Sequence, residues 1–438
     1  MQGTQVKRIG VRREDRSRWE RRAPVTPDIA RYLRDEHGIE VFVQPAPIRA
    51  FTEAEFEAGG AVVCEDLALC PIVFAVKEIP SSFFRPGGAY MFFSHVIKGQ
   101  PRNMPMLRRL MELGCTLIDY EKVVDDAGRR LIFFGRYAGL AGMLETLRAL
   151  GQRLRWEGIP NPFEAIRHAH EYRDLAEAKE AVANVGEEIR REGLPPQAAP
   201  LTVGVTGYGN VARGAWEILN LLPIEIIEPS ALSDIVDGPG ASRHVVFGTT
   251  FKEQHIVEPI EGEFDCRKYY ECPDNYRPIF EKALAYLSVI VNGIYWDARY
   301  PRVVTKAGLQ TLWASGQPRL KVIGDISCDI EGSIECTVKT TEPDEPCFVY
   351  NPVTGEARDG CEGDGLVVMA VDILPSELPR DASEDFSSVL KDLIPALAAA
   401  DFTAPFEELA LPAPIKRAVI VHRGELTPDF AYLHRYLE

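Results

Sequence analysis

The 438-residue chain has no apolar run approaching the length of a membrane span. Its opening, MQGTQVKRIG, lacks the apolar stretch of a secretory signal, so no targeting segment is expected. Nine cysteines, at 64, 70, 115, 266, 272, 328, 336, 347 and 361, form no CxxC pair. They lack the spacing of a zinc site or of a dense disulfide framework, which leaves no metal expected and predicts free thiols in a reducing cytoplasm. Positive charge is in deficit: 49 Lys and Arg stand against 65 Asp and Glu, a net charge of −16. The summed field repels polyanions, which excludes a general affinity for nucleic acid or anionic membranes. Short-period repeats and long low-complexity tracts are also missing.

The composition is 46% hydrophobic and 26% charged, that of a globular chain able to bury large cores, and its length suggests two or three domains. Residues 7–22 (KRIGVRREDRSRWERR) are locally cationic, with eight Lys or Arg against three acids. Short apolar runs alternate with helical patterns. VKRIGVR, IEVFVQP, CPIVFAVKEI, AYMFFSHVI, TLIDYEKVV and RRLIFFG read as strands, PDIARYLRDEH and 103–113 as helices. Thr52 and Glu55 form a capping box that starts another helix. Residues 137–192 are mostly helical, and GLPPQAAP breaks the chain before a second module. LTVGVTG, LSVIVNG, LKVIGDI and GLVVMAVDI are its buried strands. Strands separated by helices predict an α/β fold with parallel sheets.

Gly207-Tyr-Gly209-Asn-Val-Ala212 follows an apolar strand and precedes the helix GAWEILNLL. Gly207 suits the tight turn, Gly209 the approach of a pyrophosphate, and Ala212 close packing of helix on strand. The helix N-terminus offers unpaired N–H groups to phosphates. Glu228 ends the next run, IEIIE, 21 residues after Gly207, where a carboxylate suits the ribose hydroxyls of NAD. An Arg on the following loop, such as Arg243, could override that preference, and a flavin would also fit the turn. In the first module Lys77 closes IVFAVK and His95 closes MFFSH. Ligands collect beyond the carboxyl ends of parallel strands, so the two are placed for proton transfer to a substrate. Arg22, Lys98, Glu121, Arg130 and Arg136 are further polar candidates. His168 and His170 read as solvated surface residues on a polar helix.

A longer pattern runs through the chain in order: RREDRSRWERRAP, VKEIP, FFSHVIK, LIDYEK, FGRYAGLAGM, TGYGNVARGA, VNGIYW, GDISCDIEGSIE and DILPSELPRDAS. It resembles the lysine–ketoglutarate reductase (lysine-forming saccharopine dehydrogenase) family, with alanine dehydrogenase and the soluble transhydrogenase subunit as related folds. The resemblance implies two Rossmann-like lobes with a cleft between them. Residues 1–139, completed by 376–438, would form a substrate lobe, and 140–375 an inserted dinucleotide lobe. It implies reversible reductive condensation of L-lysine with 2-oxoglutarate to saccharopine. Lys77 and His95 would be the acid–base pair, with Arg22, Glu78 and Glu121 around the substrate. Arg130, close to the reacting carbon, would join Gly207, Gly209, Ala212, Glu228, Asp325 and Ser327 on the cofactor side. Likeness to the bifunctional animal and plant enzymes favours NADP(H), against the direct reading of Glu228, with NAD(H) as the alternative. The chain matches only the reductase half of those enzymes, so a separate saccharopine-oxidising partner is expected. Two positions depart from the pattern: Asp381 where Glu is expected, and Arg136. The competing readings are an alanine-dehydrogenase-like amino acid dehydrogenase and a non-catalytic nucleotide or amino-acid sensor.

Overall fold

A computed structural model describes residues 7–316 and 318–437. Residues 1–6, including Val6 of the first expected strand, lie outside the described residues. The chain divides into two compact units: 1–134 with 379–438, and 135–378. The expected boundaries were 139/140 and 375/376.

Unit one holds an eight-stranded sheet. Its parallel strands are β1 (Lys7–Val11), β2 (Ile39–Val43), β3 (Val62–Val63), β4 (Ile72–Phe74), β5 (Ala89–Phe92) and β6 (Thr116–Asp119). They lie in the order β6-β5-β4-β1-β2-β3, and the C-terminal strands Val419–His422 and Glu425–Leu426 add antiparallel beside β6. The central strands β4 and β5 are continuous apolar side chains with almost no exposure, as strands covered on both faces require. Helix α1 (Pro27–His37) occupies the span its pattern predicts, with proline in its first turn, where a missing N–H costs nothing. The capping box also forms: Glu55 N donates to Thr52 Oγ1 at 3.2 Å and Thr52 N to Glu55 Oε2 at 2.7 Å, starting α2 (Glu53–Ala58).

RRLIFFG is not a strand; only an isolated bridge joins Arg130 to Val124. Beyond Leu131, whose N–H donates to Val123 O at 2.9 Å, its apolar residues are held by packing. Ile132 is buried and Phe134 stacks on Phe386 at 4.6 Å between ring centroids.

Unit two opens with α4 (Gly135–Trp156), counted after α3 (Met104–Glu112) of the first unit, and continues with α5 (Leu175–Glu192). Its sheet contains β7 (Leu201–Thr206), β8 (Ile224–Ile226), β9 (Val246–Phe251), β10 (Val289–Asn292) and β11 (Val322–Asp325). It is completed by β12 (Cys347–Tyr350), β13 (Ala357–Asp359) and β14 (Leu366–Met369). The order is β13-β12-β14-β11-β10-β7-β9-β8, parallel from β14 to β8 and antiparallel at the β12–β13 edge. Helix α6 (Asn210–Leu219) follows the glycine turn and lies against α4. Two glycines make that contact possible. A Cβ on Gly139 would lie 1.9 Å from the Val211 carbonyl oxygen, and one on Gly214 would lie 2.0 Å from that of Arg136. Arg136 pairs with Glu217 of α6 through two bonds of 2.9 and 2.7 Å, and Lys179 reaches the same carboxylate at 2.6 Å. Its departure from the family pattern thus has a structural partner.

His168 and His170 are not on a solvated helix. His168 caps and His170 lies within a single 3-10 turn, Ala169–Glu171, with their rings stacked 5.1 Å apart. His168 Nδ1 is 3.3 Å from the buried Glu145 carboxylate, and His170 Nδ1 is 3.5 Å from that of the buried Glu377. The polar sequence around them hid two inward-facing carboxylates contributed from elsewhere in the chain.

Candidate active site

In unit one the chain runs from β1 out to β2 on one side and returns through β4 on the other, so the strand order reverses between β1 and β4. In open α/β sheets ligands bind outside the carboxyl ends at such a reversal. The loop after β1 brings Arg16, Glu20 and Arg22; β4 leads to Lys77 and Glu78, β5 to His95, and β6 to Glu121. Lys77 and His95 are not the last residues of their strands, as expected, but stand three residues beyond. Irregular pairing continues past the strand ends as far as Val76 and Phe93: Ala75 N bonds Met91 O at 3.1 Å and Phe93 N bonds Val76 O at 3.0 Å.

His95 adopts φ 50°, an uncommon conformation for a non-glycine residue. The loop is fixed on both sides. Ser94 donates its N–H to Asp119 at 3.0 Å and its hydroxyl to the same carboxylate, while Asn103 Nδ2 donates to His95 O at 3.0 Å. His95 Nδ1 lies 2.7 Å from Glu78 Oε1, and Arg16 pairs with the other Glu78 oxygen. A carboxylate on Nδ1 orients the ring and leaves Nε2 for proton transfer, the arrangement of base and orienter. Burial of Glu78 opposes its ionisation, but the hydrogen bond and charge of His95, with Arg16, outweigh it and hold the carboxyl at about 2.

Lys77 is mostly buried, and its ammonium makes no hydrogen bond or ion pair among the described residues. Burial lowers its pKa first, then the charge of Arg22; Glu20 and Glu78 oppose, Arg16 adds to the lowering, and the net direction is down. That is the direction a lysine base requires. Arg22 and Glu20 form a two-pronged pair at 2.7 and 2.6 Å with both side chains 3% exposed. Arg22 also lies 4.1 Å over the Phe134 ring. Arg130 stands 3.6 Å from Glu121, and the Glu121 N–H is held by Asp119 at 2.7 Å. Unit one therefore brings together Lys77, Glu78, His95 and Arg22. The sequence reading missed Arg16 and Glu20; an acid two residues before Arg22 in WERR was the only signal.

In unit two Gly207 has φ 84°, and a Cβ there would also meet Ile294 at 2.9 Å. Gly209, at the cap of α6, has no neighbour within 4 Å of a built Cβ. The turn thus leaves open space over a helix N-terminus, the cradle a pyrophosphate needs. Ala212 is buried as expected, but Gly139 and Gly214 make the closest helix approach. At the ends of β7, β10 and β11 lies a closed polar network. Thr206 Oγ1 donates to Asn292 Oδ1 at 2.7 Å, Asn292 Nδ2 to Asp325 at 2.9 Å, Ser327 to Asp325 at 2.7 Å and Thr337 to Asp325 at 2.6 Å. Burial pushes the Asp325 carboxyl up, against those hydrogen bonds.

Glu228 needs a correction of premise. The ribose argument places an acid at the end of the strand beside the glycine strand. Here β9 lies between β7 and β8, so Glu228 stands exposed after the edge strand. The residues that follow the neighbouring strand are Lys252 and Glu253. Glu253 accepts the hydroxyls of Tyr208 at 3.1 Å and Tyr270 at 2.6 Å beside Gly207. Arg243 is turned to the end of α5, donating to Glu192 O at 3.2 Å. Among the described residues no group of three His, Cys, Asp or Glu is placed to hold a metal ion, and no helix is long and apolar enough to cross a membrane.

Comparison with known proteins agrees with this architecture. Residues 10–141 match the family model described as alanine dehydrogenase/PNT, N-terminal domain. A solved L-alanine dehydrogenase aligns with TM-score 0.63 at 19% identity, covering 98% of this chain and 100% of that one. Transhydrogenase from Sinorhizobium meliloti aligns with TM-score 0.53 at 14% identity, covering 96% and 100%. The fold is that of the alanine dehydrogenase and transhydrogenase class. At closer range, alpha-aminoadipic semialdehyde synthase of Arabidopsis thaliana is 40% identical over 444 residues, 98% of this chain and 41% of the relative. The mitochondrial protein of that name from Bos taurus is 34% identical, over 98% of this chain and 48% of the relative. Saccharopine dehydrogenase [NAD(+), L-lysine-forming] of Emericella nidulans is 28% identical over 85% of this chain and 87% of its own length. The chain is a homologue of these two groups, and it spans less than half the length of the semialdehyde synthases it matches.

Proposed function

We propose that the chain is an oxidoreductase that reversibly condenses L-lysine with 2-oxoglutarate to saccharopine, using a nicotinamide cofactor. The observation that carries the reading is the group formed by Lys77, Glu78, His95 and Arg22 at the strand reversal of unit one, in a chain homologous to lysine-forming saccharopine dehydrogenases. The ε-amine of the substrate attacks the keto carbon, water leaves, and the resulting imine is reduced. Lys77, with its lowered pKa, takes the proton from the attacking amine. His95, oriented by Glu78, gives the departing hydroxyl its proton. Arg22, one of the cations in this group, offers a charge-assisted donor to a substrate carboxylate. Gly207, Gly209 and the N-terminus of α6 would hold the cofactor's pyrophosphate, with Asp325 and Ser327 beyond the neighbouring strands. When bound, the reduced nicotinamide supplies the hydride. The nine cysteines stand as free thiols, which supports a reducing, cytoplasmic setting.

NADP(H) is favoured over NAD(H). The strand order supports this: the exposed Lys252 follows the strand beside β7, where a 2′-phosphate would meet a cation. Lys252→Ala is expected to reduce the ratio of kcat/KM for NADPH over NADH by about 10- to 100-fold, the worth of one charge-assisted hydrogen bond. An unchanged ratio would remove Lys252 from cofactor choice.

The proposal as a whole is tested by following oxidation of NADPH and NADH by the purified chain with lysine, ornithine or ammonia against 2-oxoglutarate or pyruvate. Turnover that needs both lysine and 2-oxoglutarate is expected. Turnover with pyruvate and ammonia instead would assign an amino acid dehydrogenase. Ligand binding in calorimetry with no turnover in any combination would assign a sensor.

A further inference from the structure

Directly behind Lys77 sits a carboxyl that the charged run 7–22 conceals. Glu14 leaves β1 and turns inward, with 6% of its surface exposed. Its Oε1 accepts the Val76 N–H at 2.6 Å and its Oε2 the Lys77 N–H at 3.0 Å. One side chain therefore holds the last two peptide N–H groups leading from β4 into the lysine. Two donors on one buried carboxylate fix the backbone far more firmly than a loop would fix itself. The ionisable groups facing it come from three segments: Arg12 and Glu20 lie on its own, Arg49 on the turn after β2 and Tyr120 after β6, while the segment after β4 reaches it through the Lys77 backbone N–H. The Tyr120 hydroxyl is itself buried without a hydrogen-bond partner.

We propose that Glu14 is a positioning residue for Lys77, fixing the backbone from which the lysine projects and, by gaining or losing its own charge, setting how tightly the ammonium keeps its proton. The inference rests on the reading of Lys77 as an acid–base group. Burial and the Glu20 carboxylate push Glu14 up to about 7, against the two N–H bonds and Arg12, so its charge changes near neutral pH. The sign follows from Coulomb's law. An ionised Glu14 favours the ammonium form of Lys77, so removing that charge lowers the lysine's pKa further and lets it act as a base at lower pH.

The test uses the full chain with Glu14→Gln and Glu14→Asp. Lys77 is labelled with acetic anhydride across a pH series, and its reactive fraction is read by peptide mass spectrometry, which needs no turnover. Glu14→Gln is expected to move the labelling midpoint of Lys77 down by about one unit or more, the size of a single nearby charge removed from a medium of effective dielectric about 20. Glu14→Asp, which keeps the charge, should stay near wild type. The acidic limb of the pH–rate profile should move with the midpoint. An unmoved midpoint in a folded Glu14→Gln protein overturns the proposal, whatever its activity. Should that variant fail to fold, wild type decides: a bend in the Lys77 labelling curve near neutral pH supports coupling to Glu14, and a single-group curve contradicts it. Absence of saccharopine formation by wild type, with the labelling shift intact, would sink the proposed reaction instead.

Discussion

Lys77→Met is expected to lower kcat for saccharopine formation by about 100- to 10,000-fold, the range over which a positioned acid–base group accelerates a reaction. Methionine nearly preserves the side chain's shape and removes only the amine. The structure says why this loss should be catalytic. The ammonium is mostly buried and makes no hydrogen bond or ion pair among the described residues. Burying an ammonium disfavours folding unless it is paired, so replacing it with a thioether should leave the melting temperature unchanged or raise it. Falling activity with a constant or rising melting temperature separates chemistry from structure; a melting temperature that falls in step with activity would contradict the assignment. His95→Gln should cost less, about 10- to 100-fold. Glutamine can still hydrogen-bond Glu78, whose pairing with Arg16 persists, but it cannot relay a proton.

The second large effect contrasts two glycines near the same turn. Gly139→Val drives a side chain into the Val211 carbonyl oxygen, 1.9 Å from the built Cβ, where two helices touch through backbone. Neither helix can give way without opening the contact, so a loss of about 3 kcal/mol or more is expected, at the upper end of overpacking. For a unit of this size that is a fall of about 6–12 °C in melting temperature. Gly209→Ala should do the reverse. With φ −76° and no neighbour within 4 Å, the new methyl strains nothing, and the melting temperature should move by less than about 2 °C. The methyl would enter the space left for the pyrophosphate, so KM for the nicotinamide cofactor should rise about tenfold or more, the equivalent of ~1.4 kcal/mol. Thermal melts and cofactor titrations of the two variants check both halves. Equal effects on stability would mean that the turn at Gly209 is only structural.

Features encoded within a few residues were legible in the sequence. The Thr52 capping box, the proline at the start of α1 and the strand–turn–helix around Gly207 each form within one short stretch. Lys77 and His95 were legible as residues beyond strand ends, although pairing after Phe74 and Phe92 set them three residues further out. What the pattern concealed were choices of partner between distant segments. The short run IEIIE gives no sign that β9, arriving later in the chain, would come between it and the glycine strand, and that choice sets Glu228 after the edge strand. Glu14 and Glu20 were hidden within a locally cationic run because burial of a charge depends on what encloses it, here the backbone of Val76 and Lys77 and the side chain of Arg22. His168 and His170 were misread for the same reason, since Glu145 and Glu377 approach from other segments.

The account's central claim is that residues of unit one carry proton transfer in joining lysine to 2-oxoglutarate. Its most direct measurement supplies reduced nicotinamide dideuterated at C4, with lysine and 2-oxoglutarate, and follows the label by mass spectrometry. The prediction is saccharopine carrying one deuterium on the carbon that was the keto carbon, formed by wild type and reduced to trace by Lys77→Met. Deuterated product at the wild-type rate from Lys77→Met, or no labelled saccharopine from wild type with either cofactor, would contradict it.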